Sequence, residues 1–327
     1  MVEESRQQEN RPPQGSSDEL AAAEAYDDGF TPSACAKPTR LLRQPALRRL
    51  PPGMTVLQGA VDPTLALEAY EYTAALGEPW GTYLTLDGEA APGELNLRHI
   101  GAEPEVESLA SRLLASFWRR CAAELCGPDL EHVHGFSVWA VVGDVGFKTA
   151  YHLDYAEVFR HRTNVIRPPL HAATLQVSPV PPGSFAGGSF GAHLDGLKHY
   201  GAHGYKTRLG GEPADDAPTT DWGSCGRWQF APYRFNQATL SCGELPHAAD
   251  TVTAWPSHLR RVVIGINSMG RAEGPSEAAL PQHSKAFKRH LKLQQLESML
   301  KDMPPEARSK LVARAKGKVA ARAAAAR

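Results

Sequence analysis

Between residues 54 and 275 the apolar positions repeat first at helical and then at strand spacing. Asp62-Pro63 opens a run in which Leu65, Leu67, Tyr70 and Tyr72 recur until Gly77 stops it, so a capped helix is predicted there. A second helix is predicted from about Pro104 to Cys126, with Val106, Leu109, Leu113, Phe117, Cys121 and Leu125 along one face. From Gly135 the period changes. Phe136–Val142, Ala173–Val180, Arg234–Leu245 and Arg261–Ser268 are short β-branched or aromatic runs between Gly/Pro turns, which predicts strands. Helices followed by a series of strands predict a mainly β fold with flanking helices, an antiparallel sandwich or jelly roll. No internal repeat is visible.

The ends of the chain read differently. Residues 1–28 carry a net charge of −6 and are rich in Gln, Ser and Pro. With the basic, proline-punctuated stretch behind them they predict a disordered, charged segment over 1–53. Residues 54–275 form the expected domain, and 276–327 a basic helical or disordered tail with net charge +9 from Pro281 onward. In that tail Phe287, Leu291, Leu296, Met299 and Leu300 suggest an apolar stripe. The whole chain of 327 residues has a net charge of only −1, so no general attraction to nucleic acid is expected, although the basic tail leaves such a partner open. No apolar run reaches the ~18 residues of a membrane span. The N-terminus shows no secretory signal, and five cysteines without a C-x-x-C pair suggest a reducing compartment. Cytoplasm is the expected location, with the nucleus left open by the basic tail. Cys225 and Cys242 read as structural.

The chemistry is expected around Gly146–Asp154. On a strand, residues i and i+2 share a face, so His152 and Asp154 can ligate one metal. His247, at the end of a strand-like run, is the best candidate for the third ligand. Two histidines and a carboxylate make a facial triad suited to non-haem Fe(II). The motif alone is weak. Chance gives about half an H-x-D match in a chain of this composition, and a second copy stands at His193/Asp195, an alternative pairing for His247. Context favours the first copy: a core strand and a Gly turn precede it, Gly187-Gly188 follows a second core strand, and Arg261 lies downstream of His247. A turn near Trp255–His258 would make the His247 and Arg261 segments neighbouring strands. Residues 191–228 read as a Gly/His/Asp-rich insertion, in which His193, Asp195, His199 and His203 suggest a mobile loop, a lid or a second metal site. Trp139 reads as core. Trp222, Trp228 and Tyr233 are candidates to face a substrate.

Taken in order, His152, Asp154, Gly187-Gly188, His247 and Arg261 resemble the Fe(II)/2-oxoglutarate-dependent dioxygenases, in particular their prolyl-hydroxylase-like branch, over roughly residues 130–270. The resemblance implies a double-stranded β-helix core, with His152, Asp154 and His247 holding Fe(II) and Arg261 holding 2-oxoglutarate. It also implies O2 as oxidant, ascorbate as an optional reductant, release of succinate and carbon dioxide, and hydroxylation of a C–H bond in a small-molecule or protein substrate. Where the family often has Ser or Thr two residues after the Arg, Val263 stands here; Tyr151, Thr174 or Gln176 would have to complete the carboxylate site. Arg260 is the alternative to Arg261. The competing readings are a non-catalytic metal-binding scaffold on the same fold and a cupin-type metalloenzyme that does not use 2-oxoglutarate. The nucleic-acid demethylase branch fits less well, because its second Arg, six residues past the first, is here Asn267.

Overall fold

Strand-period alternation sorts side chains onto two faces of a sheet, and here it separates a core from a site. The computed structural model describes residues 40–88, 93–99, 103–203, 226–271, 276–311 and 313. Its strands are β1 (Arg40–Leu41), β2 (Met54–Gln58), β3 (Trp80–Leu86), β4 (Leu97–His99), β5 (Val133–Gly143), β6 (Thr149–His152), β7 (Val165–Ile166), β8 (His171–Gln176), β9 (Phe190–His193), β10 (Trp228–Ala231), β11 (Gln237–Cys242), β12 (His247–Ala249) and β13 (Arg261–Gly270). A large antiparallel sheet has the order β2-β11-β8-β13-β5-β3-β4, and a small one the order β10-β9-β12-β6. From β5 the chain crosses to β6 in the small sheet and back to β8. It crosses again to β9 and β10, returns to β11, visits β12 and ends on β13. This winding between two sheets is a jelly roll, the double-stranded β-helix.

The large sheet's outer face is apolar. Phe136, Val138 and Ala140 of β5 lie on it with Val262, Ile264 and Ile266 of β13 and with Leu175 and Leu240. Helices α1 (Pro63–Leu76) and α2 (Pro104–Phe117) cover this face with Ala66, Ala69, Leu109, Leu113 and Phe117. Each fully buried Leu or Phe contributes about 1.5–3 kcal/mol, so this contact anchors the sheet. Helix α1 begins where its sequence signals place it: the Asp62 carboxylate accepts from Thr64 N and Leu65 N, and Gly77 ends it at φ 70°. The second helix is less regular than expected. After Phe117 it passes through a π-turn, Trp118–Ala122, before a last α-turn, Ala123–Cys126.

Other boundaries also differ from the expected ones. Arg40 and Leu41, placed by sequence in the charged N-terminal segment, pair with Val165 and Ile166, and Leu47 and Leu50 pack on the core. The segment expected as an insertion begins with strand β9, continues as helix α4 (Gly196–His203) and ends at β10. Residues 204–225, including Trp222 and Cys225, lie outside the described residues. Helix α3 (Glu157–Thr163) follows β6, and α5 (Lys285–Asp302) closes the described chain. Of the expected α5 stripe, Phe287 is buried beside Tyr83 and Met269, whereas Leu296 and Met299 are 46% and 63% exposed. No described helix is long and apolar enough to cross a membrane.

One buried polar cluster interrupts the apolar layer. The Oγ of Ser268 lies 2.8 Å from His171 Nδ1, and Asp129 faces His171 Nε2 at 3.6 Å. Burial holds the His171 imidazole well below its usual range, against the opposing pull of Asp129. A folded-state value below the unfolded one means that the contribution to stability is complete above about pH 6.5 and is lost as pH falls below it. Urea unfolding should therefore show the free energy dropping between pH 7 and 5. His171→Gln should flatten that slope; an unchanged slope in the variant would assign the loss to other groups.

Candidate active site

The register of the small sheet brings the first two candidates together. On β6 and β12, His152 and His247 are direct partners, with ring centroids 4.3 Å apart. Asp154 follows β6, with Oδ1 3.4 Å from His152 Nε2 and Oδ2 3.7 Å from His247 Nε2. The donor atoms of His152, Asp154 and His247 all lie within 4.8 Å of one another.

Backbone carbonyls orient both imidazoles. His152 Nδ1 lies 2.8 Å from Ala150 O, and His247 Nδ1 lies 3.1 Å from Leu245 O. A carbonyl can only accept, so each Nδ1 carries the proton and each Nε2 keeps its lone pair toward Asp154. Burial pushes His247 down to about 4, with the neighbouring His152 acting in the same sense. It is therefore neutral at pH 7 and ready to ligate. Burial works to raise Asp154, but His247, His152 and the Asn267 amide outweigh it and hold the carboxyl below its usual range.

Asn267 was not among the candidates. Its Nδ2 donates to Asp154 Oδ2 at 3.0 Å from the large sheet, fixing the carboxylate from behind. The signal in the sequence was its even spacing from Arg261 on one strand, which puts both side chains on one face. Asn267→Ala should weaken Fe(II) binding by about 10–100-fold, the usual effect of losing an outer-shell partner. Anaerobic equilibrium dialysis checks this, and unchanged affinity would show that Asp154 is positioned without it.

Arg261 and Arg260 separate cleanly. Arg260 is exposed and reaches Gly77 O on the outside, whereas Arg261 is 3% exposed. The Arg261 guanidinium lies between the rings of Phe147 and Tyr233, at 5.8 and 5.6 Å from their centroids. Its Nη2 donates to Gly188 O at 3.2 Å, its Nε has no partner, and no carboxylate lies within ion-pair distance among the described residues. A buried, unpaired guanidinium is costly unless an anion meets it. Gly187 and Gly188 explain themselves here. Both have φ above +70°, a Cβ on Gly187 would fall 2.0 Å from Thr251 O, and one on Gly188 would fall 3.2 Å from Arg261 Nε.

The expectation that the His247 and Arg261 strands are neighbours is corrected: β12 belongs to the small sheet and β13 to the large one. Tyr151 is on the outer face of the small sheet, its hydroxyl 2.7 Å from His199 Nδ1, so it cannot complete a carboxylate site. Thr174 and Gln176 share the inner face with Val263 and Gly265, but Gln176 Oε1 already accepts from Arg234 N at 2.6 Å. Trp228 packs with Tyr151 on the outer face, and Tyr233 is buried behind Arg261 with its hydroxyl on Ser178. Trp228 therefore stands on the face of the small sheet opposite the triad. Trp139 stands on the inner face across Gly265, where a Cβ would meet the indole at 2.2 Å. In the second H-x-D copy, His193 points to the outer face and Asp195 pairs with Arg227, so His247 is not joined by them.

No protein-family model and no curated protein sequence matches the chain. Solved structures do match. The likeness is to prolyl-hydroxylase-like 2-oxoglutarate oxygenases. A Pseudomonas putida prolyl-4-hydroxylase matches at 12% identity and a TM-score of 0.37, over 67% of this chain and 88% of its own. A Trichoplax adhaerens prolyl hydroxylase, solved with a hypoxia inducible factor peptide fragment, matches at 12% identity and a TM-score of 0.36, over 68% and 86%. EvdO2 from Micromonospora carbonacea var. aurantiaca, complexed with 2-oxoglutarate, matches at 15% and 0.37, over 65% and 85%.

Proposed function

We propose that this protein is an Fe(II)- and 2-oxoglutarate-dependent dioxygenase that hydroxylates a C–H bond of a small-molecule or protein substrate. The supporting observation is the His-Asp-His donor set together with a buried guanidinium that has no carboxylate within ion-pair distance among the described residues. Two imidazoles and one carboxylate fit Fe(II), leaving positions for other ligands. When bound, the iron and its co-substrate supply the oxidation, with 2-oxoglutarate and O2 consumed and succinate and carbon dioxide released.

The chain's own groups bind and orient. Arg261 and Asn267 share one face of β13 because their spacing is even, and six residues span about 20 Å along a strand. On this reading a five-carbon dicarboxylate would lie between the triad and Arg261. The guanidinium fork would take the distal carboxylate by paired hydrogen bonds. Trp139, Val141 and Val263 lie on the inner face between them and keep water away from the carbon chain.

The test is anaerobic. Fe(II) and then 2-oxoglutarate are added to the protein while the visible metal-to-ligand charge-transfer band is followed, and succinate is measured once air is admitted. A band that needs both additions supports the reading. Iron loading without a band would turn it toward a cupin-type enzyme, and no iron loading toward a scaffold.

A further inference from the structure

Outside this site, the densest group of metal-ligating side chains lies on the opposite face of the same small sheet. His193 of β9 and His199 of α4 stack with centroids 3.6 Å apart and planes 18° apart; His203, one turn further along α4, lies 4.4 Å from His199. Residues i and i+4 of a helix face the same way, so His199 and His203 stand on one side of α4, although in this arrangement the three rings do not converge their donor atoms as the triad does. The alternation along β9 turns Ala192 toward His247 and His193 away from it. One strand thus separates the two clusters.

The geometry points to a second metal site, for a borderline divalent ion such as Zn2+, with His199 and His203 as the chelating pair and His193 as the third imidazole. Imidazole nitrogens suit such ions, and a site with three protein ligands leaves a position open. The Tyr151 hydroxyl, 2.7 Å from His199 Nδ1, can accept that proton and leave the Nε2 lone pair for the ion, as outer-shell partners of metal-bound histidines do. In the metal-free arrangement the rings stack, and His193 Nδ1 accepts from Asp195 N at 3.2 Å. Closing the site turns the rings out of the stack and exchanges that bond for the metal. A bound ion would clamp α4 across the outer face of the sheet that carries the triad.

This inference does not rest on the oxygenase reading, and Zn2+ alone is the probe. Equilibrium dialysis of the full chain should give two equivalents of Zn2+. His247→Ala should remove one, and His203→Ala or His199→Ala the other, each leaving its partner site filled. His203 is only partly buried near the end of α4, so its replacement should fold, as circular dichroism would verify. Zn2+ should also protect His199 and His203 from diethylpyrocarbonate, read by mass spectrometry in the His247→Ala protein. A wild-type protein whose whole Zn2+ content is lost in His247→Ala, or a second equivalent that survives both α4 variants, would overturn the proposal. Loss of the His247-dependent equivalent alone would count against the triad and not against this site.

Discussion

An Arg261→Ala protein should load Fe(II) normally yet need about 100-fold or more 2-oxoglutarate, since each hydrogen bond to a charged group is worth about 1.5–3 kcal/mol. Arg261 is buried, its Nε has no partner, and no carboxylate lies within ion-pair distance among the described residues, Asp250 acting on it only at longer range. On the proposed reading, the distal carboxylate of 2-oxoglutarate would supply the missing anion and two acceptors. Arg261→Lys should recover part of the affinity, because the charge remains while the planar fork is lost. Arg260→Ala is the control, since its side chain sits on the outer surface. Titrating the charge-transfer band against 2-oxoglutarate measures all three. Equal requirements in Arg261→Ala and wild type would remove Arg261 from the site, and a loss confined to Arg260→Ala would exchange their roles.

His247→Ala should abolish iron loading at micromolar Fe(II) and, with it, succinate release. Removing an outer-shell partner alone costs about 10–100-fold in metal affinity, and this change removes a ligand atom itself. It also leaves the Asp154 carboxylate with one imidazole where there were two, 3.4 Å away on His152. Asp154→Asn should behave similarly in binding while preserving shape, because the amide brings no negative charge to the ion. Dialysis against Fe(II) without oxygen, beside thermal unfolding of the same samples, separates lost ligation from lost folding. A well-folded His247→Ala protein that still binds iron and turns over 2-oxoglutarate would end the oxygenase reading.

Much of the architecture was legible in local pattern. Asp62 and Gly77 mark the ends of α1 because capping is a property of neighbouring residues. The runs that became β5, β8, β11 and β13 alternate strongly because one face is buried under helices and the other faces the site. The short strands were harder to see. β6, β9 and β12 have three or four residues each, too few for a period to stand out, and β9 lay within what read as an insertion. The seven-residue strand β3, Trp80–Leu86, was also passed over. Its β-branched and aromatic residues would have marked it, but it lies between two helices.

By itself the sequence determined the donor types, the H-x-D spacing that lets His152 and Asp154 share one metal, and the glycines at 187 and 188. Those depend on residue identity and on separations of a few positions. Only the tertiary structure decided which distant groups meet them. It set His247 opposite His152, turned Arg261 inward and Arg260 outward, brought Asn267 onto Asp154, and placed Tyr151, Trp228 and the second H-x-D copy on the far face of the small sheet. The reason is register. A shift of one residue moves every side chain of a strand to the opposite face, and register is set by pairing across the sheet and packing of the whole domain.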